Sequence, residues 1–349
     1  MADLTNLLGI AQPIVLGPFG GLSSVELTAA VSERGGLGSY GLYGYAPERI
    51  IETGAALRAA TDRPFALNLW LPYDDSPEVS SDEFDAYAAA LGPFYDEVGV
   101  ERPGRPSRFL PSFDAQFDAV LEVRPAIVSF VYGVPSASVV AAAHDRGITV
   151  VGTATTVDEA VALENGGVDA VVATGSEAAG HRVSFLQAAE ESLVGSFTLV
   201  PQVADAVRVP VIAAGGVADR RGVAAAFALG ASGVQVGTAF LRTRQSAAND
   251  AHRQAITEVT AQGTVLTRAM SGRLSRGIPN RAIRTIEAGG VIAPFPVQNW
   301  LTGRFRAEAG RRGLGDLQSL WAGQAAPLAR EADADAVFTE LAAGVPARA

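Results

Sequence analysis

The sequence predicts an α/β fold, a single (β/α)8 TIM barrel, and three observations carry that prediction. Eight short apolar runs recur along the chain. Each is continuous rather than alternating, the pattern of strands buried on both faces. Helical segments with cap residues lie between them, and strands that alternate with helices imply a parallel sheet. Eight such units close into a barrel more readily than they spread into an open sheet.

The first run is PIVLGP (Pro13–Pro18), and SSVELTAAVSERGG after it has a serine cap at Ser23 or Ser24 and a glycine stop. GLGSY (Gly36–Tyr40) and FALNLWL (Phe65–Leu71) are the second and third. The stretch Tyr73 to Pro111 is polar and proline-rich and breaks the rhythm. It reads as an insertion after the third strand, at about 73–111, with a helix around DEFDAYAAAL. AIVSFVYG (Ala126–Gly133) and ITVVGT (Ile148–Thr153) are followed by the capped helices PSASVVAAAHDRG and TTVDEAVALENGG. AVVATG (Ala170–Gly175) leads into the small-residue turn GSEAAGHR. VIAAGG (Val211–Gly216) precedes a helix starting near Ala218 or Asp219, and VQVGT (Val234–Thr238) is the eighth run. Residues 1–242 therefore read as the barrel, and 243–349 as a mostly helical addition closing over its face. Loops and additions at the C-terminal end of a barrel are where function concentrates.

Composition narrows the chemistry. The net charge of −10 speaks against nucleic-acid binding, which needs a basic face, and against a polybasic membrane anchor. The chain has no cysteine, which excludes disulfides and thiolate chemistry, and every basic residue is an arginine, which excludes Schiff-base and lysine general-base chemistry. The N-terminus lacks a basic n-region, so the expected compartment is the cytoplasm. Val223 to Leu241 carries no charge, yet its glycines and polar residues make it a helix, a turn and a buried strand rather than a membrane span. A homo-oligomer is compatible with all of this.

Of the groups that transfer protons near neutrality, His144, His181 and His252 remain, with carboxylates and tyrosines behind them. His144 and His252 lie in helical contexts beside charged residues and read as solvated surface histidines; no spacing suggests a metal site. His181 differs, because it follows the sixth strand on the face where function is expected. GLGSYG (Gly36–Gly41) matches a dinucleotide fingerprint, but a helix precedes it and no helix opens inside it, so closely packed strand glycines explain it better. No G-x-S-x-G occurs. Gly215 and Gly216 after the seventh strand, with Gly237 and Thr238 after the eighth, could simply make tight turns. At consecutive strand ends they also suit phosphate binding by backbone amides, which a lysine-free chain would favour. Asn68 is a polar residue within a buried strand. It is either satisfied structurally or available to a ligand's ring edge.

These segments resemble the nitronate monooxygenase family, formerly called 2-nitropropane dioxygenases, over nearly the whole chain. The resemblance rests on GPFGGLSSVELTAAVSERGGLG, NLWLP, VSFVYGVP, GTATTVDEA, GSEAAGHR, the block VPVIAAGGVADRRGVAAAFALGASGVQVGTAFL, MSGRLSRGIPN and LWAGQ. It implies an FMN-dependent oxidoreductase acting on a small-molecule nitronate and O2, forming a carbonyl compound and nitrite. It implies that Gly215, Gly216, Gly237 and Thr238 bind the FMN phosphate. Phe19, Asn68, Ala179 and Gly180 would border the isoalloxazine ring, Ser271 would approach the flavin, and His181 would be catalytic. Trp300, Tyr132 and Arg304 are candidates for the substrate pocket. Two departures stand out: Ala179 and Val183 occupy positions often held by glycine, and Val131 stands where some relatives carry a polar residue or histidine. The alternative is an NAD(P)H-dependent FMN barrel reductase for enoyl-thioesters or quinones; a non-catalytic binder of a phosphorylated ligand is a third reading.

Overall fold

The structure, a computed structural model, describes residues 3–72 and 78–347. Each of the eight apolar runs overlaps a strand: β1 Ile14–Leu16, β2 Gly38–Gly41, β3 Phe65–Trp70, β4 Ile127–Val131, β5 Thr149–Ala154, β6 Ala170–Thr174, β8 Val211–Ala214 and β9 Gly233–Val236. A two-residue strand, β7 (Gly180–His181), intervenes, so the seventh and eighth barrel strands are β8 and β9. All neighbours in the order β1-β9-β8-β6-β5-β4-β3-β2 are parallel. A parallel bridge from Val15 to Leu37 joins the two ends, which closes the ring into a (β/α)8 barrel.

The helices start where the cap residues place them. Ser24, Ser136, Thr156 and Asp219 each accept a hydrogen bond from a first-turn amide of the helix that follows. Within Gly36–Gly41, Gly38–Gly41 is strand β2 and Leu37 bridges to Val15. A Cβ on Gly38 would lie 2.0 Å from the Thr28 carbonyl oxygen, and one on Gly41 would lie 2.8 Å from the Phe19 backbone, so these glycines admit close packing.

Val15, Leu37, Ala66, Ile127, Val151, Val172 and Ile212 share one apolar cluster with Leu4 and Leu8 of the short helix Leu4–Leu8. That helix plugs the N-terminal mouth and leaves the C-terminal mouth for a site. The insertion, whose residues 73–77 lie outside the described residues, contributes helices Ser81–Ala90 and Gly92–Val98. Phe84 and Tyr95 from those helices pack with Leu301 and Phe305 of helix Val297–Arg311 in a second apolar cluster, and the Tyr95 hydroxyl donates to the Leu301 carbonyl at 2.7 Å. The last helix, Ala334–Ala342, returns to the barrel, where Phe338 and Leu341 join the main core. Val223 to Leu241 covers most of the helix Arg220–Ala228, then β9 and the short helix Thr238–Leu241. No helix among the described residues is long and apolar enough to cross a membrane.

Candidate active site

A cavity of about 720 Å³ opens at the C-terminal mouth of the barrel, within the range of small-molecule and cofactor sites. Gly215, Gly216, Gly237, Thr238, Phe19, Asn68, Ala179, Gly180 and His181 all line it.

One wall is backbone. Gly215 and Gly216 hold φ values of 91° and 78°, in the left-handed region that favours glycine. A Cβ on Gly216 would meet nothing within 4 Å, so its side faces open space. Among the described residues, the amides of Gly216, Val217 and Gly237 donate to no other residue. The first-turn amides of Arg221 and Gly222 are already taken by Asp219, so free donors are found at the strand ends and not in that helix turn. The Thr238 hydroxyl accepts from the Gly323 amide at 3.0 Å, and the Gln324 amide donates to the Glu177 carbonyl at 3.0 Å. The WAGQ segment thereby fastens the C-terminal addition to two strand-end loops.

The second element is the loop after β6. Gly180 and His181 form β7, the edge of a three-stranded antiparallel sheet with β10 (Val265–Thr267) and β11 (Ser275–Gly277), His181 opposite Ser275. Buried neighbours hold this strand on both sides. The Arg182 guanidinium donates to the carbonyls of Gly175 (2.7 Å) and Thr174 (3.1 Å), while the fully buried Glu159 carboxylate accepts from the amides of Phe185 and Leu186. His181 Nε2 lies 2.8 Å from Ser271 Oγ. The Ser271 hydroxyl donates to the Arg273 carbonyl at 3.1 Å. With the Ser271 proton on the Arg273 carbonyl, His181 Nε2–H would donate to Ser271 Oγ and the imidazole lone pair would fall on Nδ1. Nδ1 makes no hydrogen bond among the described residues. Ser271 is fully buried behind His181 and is not among the residues that line the cavity.

Asn68 is buried, and its Nδ2 donates to the Ser129 carbonyl and hydroxyl at 3.2 and 3.0 Å, which leaves Oδ1 without a donor. Period two along β3 places Trp70 on the same face. The Trp70 ring meets Tyr43 at 4.4 Å and His181 edge-on at 4.9 Å between centroids, and Trp321 lies 5.5 Å from His181 on another side. Of the expected pocket residues, Trp300 packs against Phe84 and Phe109, and Arg304 lies over Trp300. Tyr132 is buried against Trp70, 4.9 Å between centroids, and none of the three lines the cavity. Their places are taken by Tyr43, Trp70, Asn299, Arg306 and Trp321. Trp70 was within reach of the sequence through its alternation with Asn68, and Trp321 through WAGQ; nothing in the sequence around Arg306 marked it.

Burial, reinforced by the Arg273 and Arg306 guanidinium groups, pushes the His181 pKa down to about 3, so the imidazole is neutral at ordinary pH. His144 is half exposed and pairs with Asp169 at 2.8 Å, a surface histidine as expected. His252 is not one: it is 2% exposed, Nε2 lies 2.9 Å from the Trp321 carbonyl, and burial lowers its pKa to about 4. Helix Asp250–Glu258 turns it inward under the C-terminal segment, a placement its charged sequence neighbours conceal. No cluster of metal-ligating side chains occurs among the described residues.

Comparison with known proteins agrees with this geometry. The family model described as nitronate monooxygenase matches residues 2–344. A probable nitronate monooxygenase of Staphylococcus haemolyticus is 38% identical over 330 residues, covering 94% of this chain and 92% of its own. Among solved structures, the nitroalkane oxidase of Streptomyces ansochromogenes superposes with a TM-score of 0.87 at 36% identity, covering 98% of this chain and 97% of its own. FabK of Thermotoga maritima superposes with a TM-score of 0.76 at 29% identity, covering 97% and 94%. A barrel whose strand-end glycines and single β7 histidine share one cavity, matched by that model over almost its whole length, belongs to the nitronate monooxygenase family of flavin-dependent oxidoreductases.

Proposed function

We propose that this enzyme oxidises alkyl nitronates with O2 to carbonyl compounds and nitrite, using FMN. The observation that carries the reading is that His181, held against Ser271, shares one cavity with the unpaired strand-end amides.

The residues present fit the cofactor. The open space beside Gly216, the free amides of Gly216 and Gly237 and the Thr238 hydroxyl suit a phosphate that no lysine is available to bind. Gly215 gives the turn its shape. Phe19, Ala179 and Gly180 leave a flat surface for the ring system, and Asn68 Oδ1 offers an acceptor to an N–H at the ring edge. FMN supplies the electron-transfer chemistry that no side chain here provides. In this reading residues 1–242 form the FMN-binding barrel, and the 243–349 segment and the insertion cover its mouth.

The chain's own groups do the rest. His181 Nδ1 carries the lone pair that removes the α-proton of a neutral nitroalkane, a step that a preformed nitronate bypasses. Ser271 holds the ring so that Nδ1 and not Nε2 is the base. Trp70 and Trp321 flank the imidazole, and Tyr43 packs against Trp70.

The test follows nitrite release, oxygen uptake and NAD(P)H together, in air and under nitrogen. The expected result is nitrite formation from a nitronate with oxygen consumed and no nicotinamide needed, from a protein that releases FMN and not FAD on denaturation. NAD(P)H oxidation with an enoyl-thioester or quinone, and no nitrite from any nitronate tried, would place the enzyme among the barrel reductases instead.

A further inference from the structure

A nitronate is an anion, and the neutral His181 provides no charge to hold it. The cavity has a cation elsewhere. Arg306 lines it from helix Val297–Arg311. Its Nη2 donates to Asn299 Oδ1 at 2.7 Å and to the Asn299 carbonyl at 3.2 Å, and Nη1 donates to Ser319 Oγ. Its Nε is buried and donates to nothing. No carboxylate pairs with it among the described residues. Glu177, the carboxylate that lines the same cavity, is occupied by the amide and hydroxyl of Ser196, and Arg311, the other guanidinium on the lining, is paired with Glu308.

A second unpaired donor belongs to the same wall. Gln318 precedes the Ser319 that Arg306 bonds. Its Oε1 accepts from Asn249 Nδ2 at 2.8 Å, while its Nε2 is buried without an acceptor. A buried guanidinium with neither carboxylate nor full complement of acceptors is unfavourable, as is a buried amide donor. An anion in the cavity would supply the countercharge that this guanidinium lacks, and a flat, two-oxygen group suits a guanidinium fork. Asn299 also donates to the Tyr43 hydroxyl at 2.9 Å, and Tyr43 packs against the Trp70 that meets His181. The charge is thereby linked, through packed groups, to the aromatic enclosure around the base.

We propose that Arg306, with Gln318 beside it, is the anion-recognising element of the cavity: it binds the two oxygens of the nitronate and selects that anion over its neutral conjugate acid, the nitroalkane. The inference rests on the nitronate reading and assigns the charge recognition within it.

The test uses two substrates that share one carbon skeleton and differ by a proton, a preformed nitronate and the freshly added nitroalkane, on the FMN-loaded enzyme. Arg306→Met should raise KM for the nitronate about 10- to 100-fold more than KM for the nitroalkane, the loss expected when a charge-assisted hydrogen-bond partner is removed. Arg306→Lys should recover part of the difference, and Gln318→Leu should show a smaller shift of the same sign. Calorimetry with nitrite as a probe should show binding to the parent enzyme and its loss in Arg306→Met. Equal effects on both substrates, or nitrite binding that Arg306→Met leaves intact, would overturn the proposal and make Arg306 a strut between helix Val297–Arg311 and Ser319. If Arg306→Met does not fold, the lysine and Gln318 variants give the same comparison. If the parent enzyme releases no nitrite from either substrate, the nitronate reading fails by itself, while calorimetry still decides whether Arg306 binds a small oxyanion.

Discussion

The two walls of the cavity are made by different means. At the ends of β8 and β9 the working groups are backbone amides, exposed because Gly215 and Gly216 adopt positive φ and because strand ends leave donors unused. Across the cavity the working groups are side chains: His181 and Ser271, ninety residues apart and joined by one hydrogen bond, and Arg306, held by Asn299 and Ser319. The first wall is local, since a few consecutive residues fix both its shape and its chemistry. The second brings together residues far apart in the chain, His181 from β7 and Ser271, Asn299, Arg306 and Ser319 from the segment after residue 242. Substitutions on the second wall should therefore change chemistry while leaving cofactor binding alone, and those on the first should do the reverse.

The largest effect belongs to the second wall. His181→Asn removes the proposed base and should slow nitroalkane turnover by about 10²–10⁴-fold while FMN stays bound. Nitronates, which need no deprotonation, should lose less. Flavin content and nitrite release measured on one preparation check both halves, and parental nitroalkane rates would make His181 structural.

Gly216→Val tests the first wall. Valine at φ 78° carries a conformational cost of about 1–3 kcal/mol, and its side chain enters the space beside the free amides. The FMN dissociation constant should rise about 5- to 150-fold. Excess FMN should restore turnover, because His181 is untouched. Failure of FMN to rescue would show that the walls are not separable in this way.

Legibility in the sequence follows the same division. All eight strands were readable because parallel strands buried on both faces are short continuous apolar runs, and the helix starts because Ser24, Ser136, Thr156 and Asp219 are local caps. The strand-end glycines were readable for the same reason. His181 stood out only because histidines are rare here and this one follows a strand. Its pairing with β11, which places Ser271 behind it, depends on contacts across ninety residues that no local pattern encodes. Arg306 is one of several arginines on its helix, and which of them turns inward is settled by packing against Asn299 and Ser319. His252 was misread because charged neighbours on a helix describe its outer face and say nothing about the residue turned inward.

His252 gives a smaller effect, on stability. Burial favours its neutral form and sets its folded pKa near 4, below the ordinary value of 6.5. Above about pH 6.5 both folded and unfolded chains carry it neutral and it adds no pH dependence. As pH falls from there towards 4, the unfolded chain takes up a proton that the folded chain refuses, so stability is lost by about 2 kcal/mol at pH 5. His252→Gln cannot titrate yet keeps an N–H for the Trp321 carbonyl. Urea denaturation at pH 8 and pH 5 should show the variant losing about 2 kcal/mol less than the parent; equal losses would mean that His252 is protonated in the folded chain.

Ser271 makes the finest test, because it lies behind His181 and does not line the cavity. Its one contribution to the chemistry is to accept the Nε2 proton of His181, which depends on its own proton being engaged by the Arg273 carbonyl. Ser271→Ala removes a neutral hydrogen bond of about 0.5–1.5 kcal/mol and leaves the imidazole free to carry its proton on Nδ1. In that tautomer Nδ1 is no longer a base. Nitroalkane turnover should fall about 2- to 12-fold, nitronate turnover should stay close to the parent, and Ser271→Thr should restore most of the difference. The tautomer itself is observable, since nitrogen chemical shifts of imidazole rings distinguish protonated from unprotonated positions and the chain has only three histidines to assign. The parent enzyme should show His181 protonated at Nε2, and the alanine variant a mixture. If His181 carries its proton on Nδ1 in the parent, Ser271 donates to the ring instead, the lone pair faces away from the cavity, and the base in this site must be sought elsewhere.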